Sequence, residues 1–179
     1  MAEERKEKWL SILALSTVIL AVCATLSTFK GGSFSTRSVM AQSQASNQWS
    51  YYQSKSIKSY QHELQKENLE LELKTIGPGA SKSLLEEYQK KIAEYTDTIK
   101  RYDSEMADIQ KDAKRLESLR NDAQKHSQIF GMAIVFLQIA ILLSSIAALT
   151  KRKSVWYVGL ASGLMGLIYF FNGFFLFIS

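Results

Sequence analysis

Long stretches of this 179-residue chain carry no charge at all. No Asp, Glu, Lys or Arg occurs in 9–29, 129–150 or 155–178, and beyond residue 129 the charges are confined to Lys151, Arg152 and Lys153. Cysteine is reduced to Cys23, which excludes an internal disulfide, and with His62 and His126 as the two histidines there is no zinc-ligand spacing. Proline is reduced to Pro78. The averages, 46% apolar and 22% charged, are those of an ordinary soluble domain. The distribution differs: a soluble core needs apolar and polar residues interleaved along each element, and here they are segregated into blocks. A single soluble domain with one core is therefore excluded.

A helix rising about 1.5 Å per residue crosses about 30 Å of hydrocarbon in about 20 residues. The three uncharged blocks meet that length, and together they leave no water-facing stripe for a soluble arrangement. They predict transmembrane helices at 9–29, 129–150 and 155–178, with an N-terminal tail at 1–8 and a basic loop at 151–154. A cleaved signal peptide is the alternative for the first block. Its apolar run is longer than the usual 7–15 residues or so, and the small-residue site Val39-Met40-Ala41 lies well past it. Leu20-Ala21-Val22-Cys23 superficially matches a lipoprotein box, but Val fits poorly before the cysteine. An uncleaved anchor is the better reading, with Cys23 as a small buried residue.

The short loop Lys151-Arg152-Lys153 belongs on the cytoplasmic side, and so does the tail with Arg5, Lys6 and Lys8. Three spans then connect with residues 30–128 outside the cytoplasm. That block has basic residues near both ends, Lys30 and Arg37 and then Arg120 and Lys125, but long segments count less in this rule.

Residues 30–128 hold 16 Lys/Arg and 14 Asp/Glu, a mixed and solvated surface. Gly77-Pro78-Gly79 interrupts them, and Ser83-Leu84-Leu85-Glu86 matches a capping box starting a new helix. Two antiparallel helices with a turn at 77–79 is the direct reading. In the second, Leu85, Tyr88, Ile92, Tyr95, Ile99, Tyr102, Met106 and Ile109 alternate spacings of three and four, and the series runs on through Ala113 and Leu116 toward the second span. More than four heptads in phase predict a coiled-coil seam continuous with that span, and explain the tyrosines better than a nucleic-acid stacking platform. The first helix shows two apolar faces, Tyr60 with Leu64 and Leu71 on one, Leu69, Leu73 and Ile76 largely on another. A neighbouring subunit or a local change of register accounts equally for the second face. Lys30-Gly31-Gly32-Ser33 predicts a break after the first span. The expected fold is thus an all-α membrane protein, three transmembrane helices with a long antiparallel coiled-coil hairpin between the first two. Tyr60 is expected to face Ile99.

Small residues and amides fill 41–58, interrupted by Trp49, Tyr51 and Tyr52. Folding at Pro78 places Trp49 and Tyr52 opposite about 103–107, so they fill a helix–helix contact or meet a partner rather than forming an interfacial belt. The order of a basic-tailed span, the run Asn47-Gln48-Trp49-Ser50-Tyr51-Tyr52-Gln53-Ser54-Lys55-Ser56-Ile57-Lys58, a charged helical stretch and two closely spaced spans resembles an uncharacterised bacterial membrane-protein family, a domain of unknown function. The resemblance covers almost the whole length. It implies a bacterial origin and brings no activity, substrate or catalytic residue.

Catalysis lacks its parts. The histidines are far apart, the carboxylates have Lys/Arg neighbours on solvated faces, and there is no glycine-rich phosphate loop. No enzyme activity, cofactor, metal or nucleic-acid partner is expected. Inside the spans, Ala140, Ser144 and Ala148 form one small-residue stripe and Gly159, Gly163 and Gly166 with Gly173 another, which predicts close packing between these spans or across subunits. Gln138 and Asn172, at comparable depth, are expected to bond across a helix contact, to each other, to a neighbouring subunit or to local carbonyls. The bilayer and a homo-oligomer built through hairpin and transmembrane helices are the expected partners. A membrane-organising scaffold of the bacterial inner membrane is the favoured function, and a pore or transport accessory or a partner-binding anchor are the alternatives.

Overall fold

The structure, a computed structural model, describes residues 2–76 and 81–177, with side chains from residue 8 onward. All regular structure among the described residues is helical: α1 (Ala2–Thr75), α2 (Lys82–Thr150) and α3 (Lys153–Phe175). All three helices are long and apolar enough to cross a membrane. The turn expected at 77–79 lies outside the described residues.

Local chemistry sets the visible boundaries. α2 starts two residues earlier than the capping box predicts, because Ser81 rather than Ser83 serves as the cap: the Leu84 N–H lies 3.3 Å from Ser81 Oγ. Its end is marked by Lys151, whose φ of 54° is left-handed. α3 ends on Leu176, also left-handed, whose N–H donates to the Asn172 carbonyl at 2.8 Å.

The break expected at Lys30-Gly31-Gly32-Ser33 does not form, and α1 runs through it without interruption. Gly31 is used for close approach instead. A Cβ there would sit 3.0 Å from Phe130 Cβ, and Ser127 Oγ donates to the Gly31 carbonyl at 3.1 Å. These contacts offset the modest helix cost of a glycine, about 0.5–1 kcal/mol.

The chain forms two compact units, Met1–Met40 with Leu119–Ser179, and Ala41–Ser118. In the first unit Leu20, Ala24, Phe130, Ala133, Leu137, Ala140 and Phe170 pack as one apolar cluster, and Trp9, Leu13, Ala147 and Trp156 as another. The glycine stripe of α3 lies against α2: a Cβ on Gly159 would meet Leu143 and Ala140, one on Gly166 would meet Leu137, and one on Gly173 would meet Phe130. Ser162 Oγ donates to the Phe136 carbonyl at 3.0 Å across the same pair. Without side chains on the α3 face, large α2 residues reach its backbone, which is how helices associate where no water drives them together.

The second unit is an antiparallel pair. Glu72 accepts from the Tyr88 hydroxyl, His62 lies against Tyr95 and Tyr102, Lys55 donates to Glu105 and Trp49 to Glu117, so one number falls as the other rises. Two of the sequence-based placements need correction. Trp49 meets Glu117, at 2.9 Å, rather than 103–107. Side chains lean toward the N-terminus of their own helix, so in an antiparallel pair two long side chains reach toward each other from offset positions. Tyr60, expected to face Ile99, is 59% exposed and points away from the pair, while its neighbour Ser59 is buried.

Candidate assembly surface

In the second unit every residue of the α2 heptad turns from solvent, but to different degrees. Leu85, Tyr88, Ile92, Tyr95, Ile99, Tyr102 and Met106 are half-buried, whereas Ile109, Ala113 and Leu116 are buried. Across from them Ala41 and Ala45 are buried, and Leu69, Leu73 and Ile76 half-buried. A two-helix pair covers its seam from one side only, which explains the partial exposure from Leu85 to Met106.

Polar and aromatic groups hold the middle of this pair. Lys55 Nζ donates to Glu105 at 2.5 Å and lies 5.0 Å over the Tyr102 ring and 5.5 Å over Tyr51. Arg101 stands 5.4 Å over Tyr102 from outside and pairs with Glu105 at 3.8 Å. The hydrogen bond between Lys55 and Glu105 holds the ammonium above its ordinary pKa and the carboxyl below its own. At the tip the bond to Glu72 pushes the Tyr88 hydroxyl up. Trp49 stacks edge-on against Tyr52, and Tyr51 is exposed.

The apolar face of α1 that does not meet α2 is bare. Ile57, Tyr60, Leu64 and Leu71 are 53, 59, 41 and 59% exposed, at spacings of three, four and seven, with Glu67 in the one polar slot of the heptad. The ambiguity of the two α1 faces is thereby resolved within one chain: Leu69, Leu73 and Ile76 turn inward and Tyr60, Leu64 and Leu71 outward.

In the first unit Ala140 and Ser144 are fully buried, Ala148 is half-buried, and Gly159, Gly163 and Gly166 are buried. Gln138 and Asn172 do not share a face. Asn172 is 1% exposed inside the unit, while Gln138, one position past buried Leu137 and so about 100° round the helix, lies on the exposed side of α2. Comparable depth along two helices does not fix the angle about them, which is why the direct pair fails within one chain. His126, passed over in the sequence, stacks on Phe34 at 4.4 Å and donates through Nδ1 to the Gly173 carbonyl at 2.7 Å, near the C-terminus of α3. Trp9 and Trp156 meet edge-to-face at 6.2 Å, and Lys153 Nζ lies over Trp9. Trp9 follows Lys8, and Trp156 lies one helical turn past Lys153, each at the start of an uncharged run.

Among the described residues no three His, Cys, Asp or Glu gather where they would hold a metal ion. Comparison with curated proteins and with solved structures finds no match. A family described as a domain of unknown function, DUF4337, matches residues 9–176, nearly the whole chain including all three long helices, and the chain belongs to that family.

Proposed function

We propose that the chain is a membrane-anchored, self-assembling coiled-coil scaffold that organises the bacterial inner membrane, without catalytic activity. In this reading the tail and the 151–153 loop face the cytoplasm and the hairpin lies outside it. The observation that carries it is the bare heptad of α1, Ile57, Tyr60, Leu64 and Leu71, which lies outside the hairpin's own seam and stays exposed. Large apolar residues repeating at coiled-coil spacing on a water-facing helix are the pattern of a surface awaiting another helix. A second feature agrees: the Gln138 amide projects from the exposed side of an apolar span, where hydrocarbon penalises it and an amide of a neighbouring subunit would satisfy it. A pore finds less support, since no charged side chain lies within 9–29, 129–150 or 155–178.

Electron microscopy of the full-length protein in detergent tests this reading. A large closed ring or cage is expected. A small ring around a wetted axial hole would favour a pore, and particles of monomer size would favour an anchor for a different partner; either would overturn the scaffold.

A further inference from the structure

We propose that the α1–α3 seam at the basic-loop end of the first unit binds one anionic phospholipid, its phosphate at Trp9, Trp156 and the start of α3 and one acyl chain in an apolar groove alongside. This site is independent of self-assembly.

The headgroup end has donors with nothing to donate to. Trp9 and Trp156 are 9 and 8% exposed, and neither indole Nε1–H has an acceptor among the described residues. Both nitrogens are closed to solvent in the unliganded chain, so an outside acceptor reaches them through a small turn of the rings, and buried polar groups are otherwise satisfied. Trp156 lies in the first turn of α3, whose N-cap, Arg152, makes no side-chain capping bond. The free N–H groups and positive dipole end of that helix favour an anion. Lys153 reaches over the Trp9 ring, and Lys8, Lys151 and Arg152 are exposed at the same ends of α1 and α3.

The chain end is a groove of about 380 Å³ lined by Ile19, Leu20, Leu160, Gly163, Leu164 and Ser16. The one hydroxyl there is already committed, as Ser16 Oγ donates to the Leu13 carbonyl at 2.8 Å, so the lining presents hydrocarbon. Gly163 lies on the floor, where a Cβ would come within 3.2 Å of the Leu20 methyl groups. Leu160 joins the two parts, packing against the Trp9–Trp156 cluster and lining the groove. By helical rise, residues 16–20 lie about 12–18 Å inward of Lys8, the depth of an acyl chain rather than a headgroup. A free phosphate would use the donors and leave the groove empty; an uncharged lipid would fill the groove and leave the cations unmatched. An anionic phospholipid uses both, as basic pockets between transmembrane helices do.

Native mass spectrometry of the full-length protein, offered phosphatidylglycerol and phosphatidylcholine with identical chains, reads the site. Wild type is expected to retain phosphatidylglycerol roughly tenfold over phosphatidylcholine. The double variant Trp9→Phe/Trp156→Phe keeps the rings, removes both N–H groups and should lose most of that preference. Leu164→Trp, placed where the side chain is 62% exposed and outside the helix contacts, should lower retention of both lipids by blocking the groove. Equal retention of the two lipids by wild type, or an unchanged preference in the double Phe variant, would overturn the proposal. So would displacement by inorganic phosphate with no effect of Leu164→Trp, which would identify a free-anion site instead.

Discussion

Gly166→Ala adds one methyl group, and the structure says what it meets: Leu137 Cγ at 2.8 Å, Cδ2 at 2.9 Å and the Leu137 backbone nitrogen at 3.0 Å. The leucine tip can rotate but the backbone nitrogen cannot, so α2 and α3 must separate by several tenths of an ångström. Overpacking of this kind costs typically 1–3 kcal/mol, roughly. Against it stands the helix propensity gained when Gly becomes Ala, about 1 kcal/mol. The net expectation is a loss of up to about 2 kcal/mol. Gly131→Ala supplies the control, because a Cβ there meets nothing within 4 Å, and the same chemistry should then be neutral or stabilising by up to about 1 kcal/mol. Gly163→Ala falls between them, since it meets mobile Leu20 methyl groups at 3.2 Å. Unfolding in SDS-containing mixed micelles, followed by tryptophan fluorescence, measures all three. Equal stability of the Gly166→Ala and Gly131→Ala proteins would refute the packing of α3 on α2.

Three further outcomes follow from particular contacts. Glu105 has its pKa lowered by Lys55, so its contribution is present above its ordinary value of 4.5 and is lost as pH falls through the lower folded value. Lys55 has its pKa raised, so its contribution is present below 10.5 and lost as pH rises through the higher folded value; thermal melts should be flat in pH between these limits, and Glu105→Gln should abolish the acid limb. Cysteines at Lys55 and Glu105 should join within one chain through a short bismaleimide, whereas a cysteine at Tyr60 should join only chain to chain, read by mobility on denaturing gels. A cysteine at Ser81 should react with a membrane-impermeant maleimide in intact spheroplasts; labelling only after lysis would reverse the proposed orientation.

Much of this fold is legible in the amino-acid order because its signals are long. Three uncharged runs give the apolar stretches of the three long helices, and ten heptad positions in phase give the inward face of α2 over more than four heptads. What fails is local and angular. Gly31-Gly32 looks like a hinge in isolation, yet Gly31 is where Phe130 approaches α1, and a close approach and a break use the same residue. Trp49 was placed by counting residues from Pro78, which ignores the lean of side chains along antiparallel helices. Gln138 and Asn172 were matched by depth alone, although their faces decide whether they meet. The tryptophan pair went unread because Trp9 and Trp156 are far apart in sequence and each alone is an ordinary boundary residue.

The central claim is that α1 carries a second seam filled by another copy of the chain, and the mass of the full-length protein in lipid nanodiscs or mild detergent tests it most directly. Ile57, Tyr60, Leu64 and Leu71 are about half exposed in one chain, so completing their burial contributes on the order of 1 kcal/mol each. The wild type should have the mass of a defined multimer. The double variant Leu64→Lys/Leu71→Lys should fall to the monomer or to a smaller species while keeping its helix content by circular dichroism. A monomeric wild type, or a multimer whose mass and stability are unchanged by both lysines, would contradict the account.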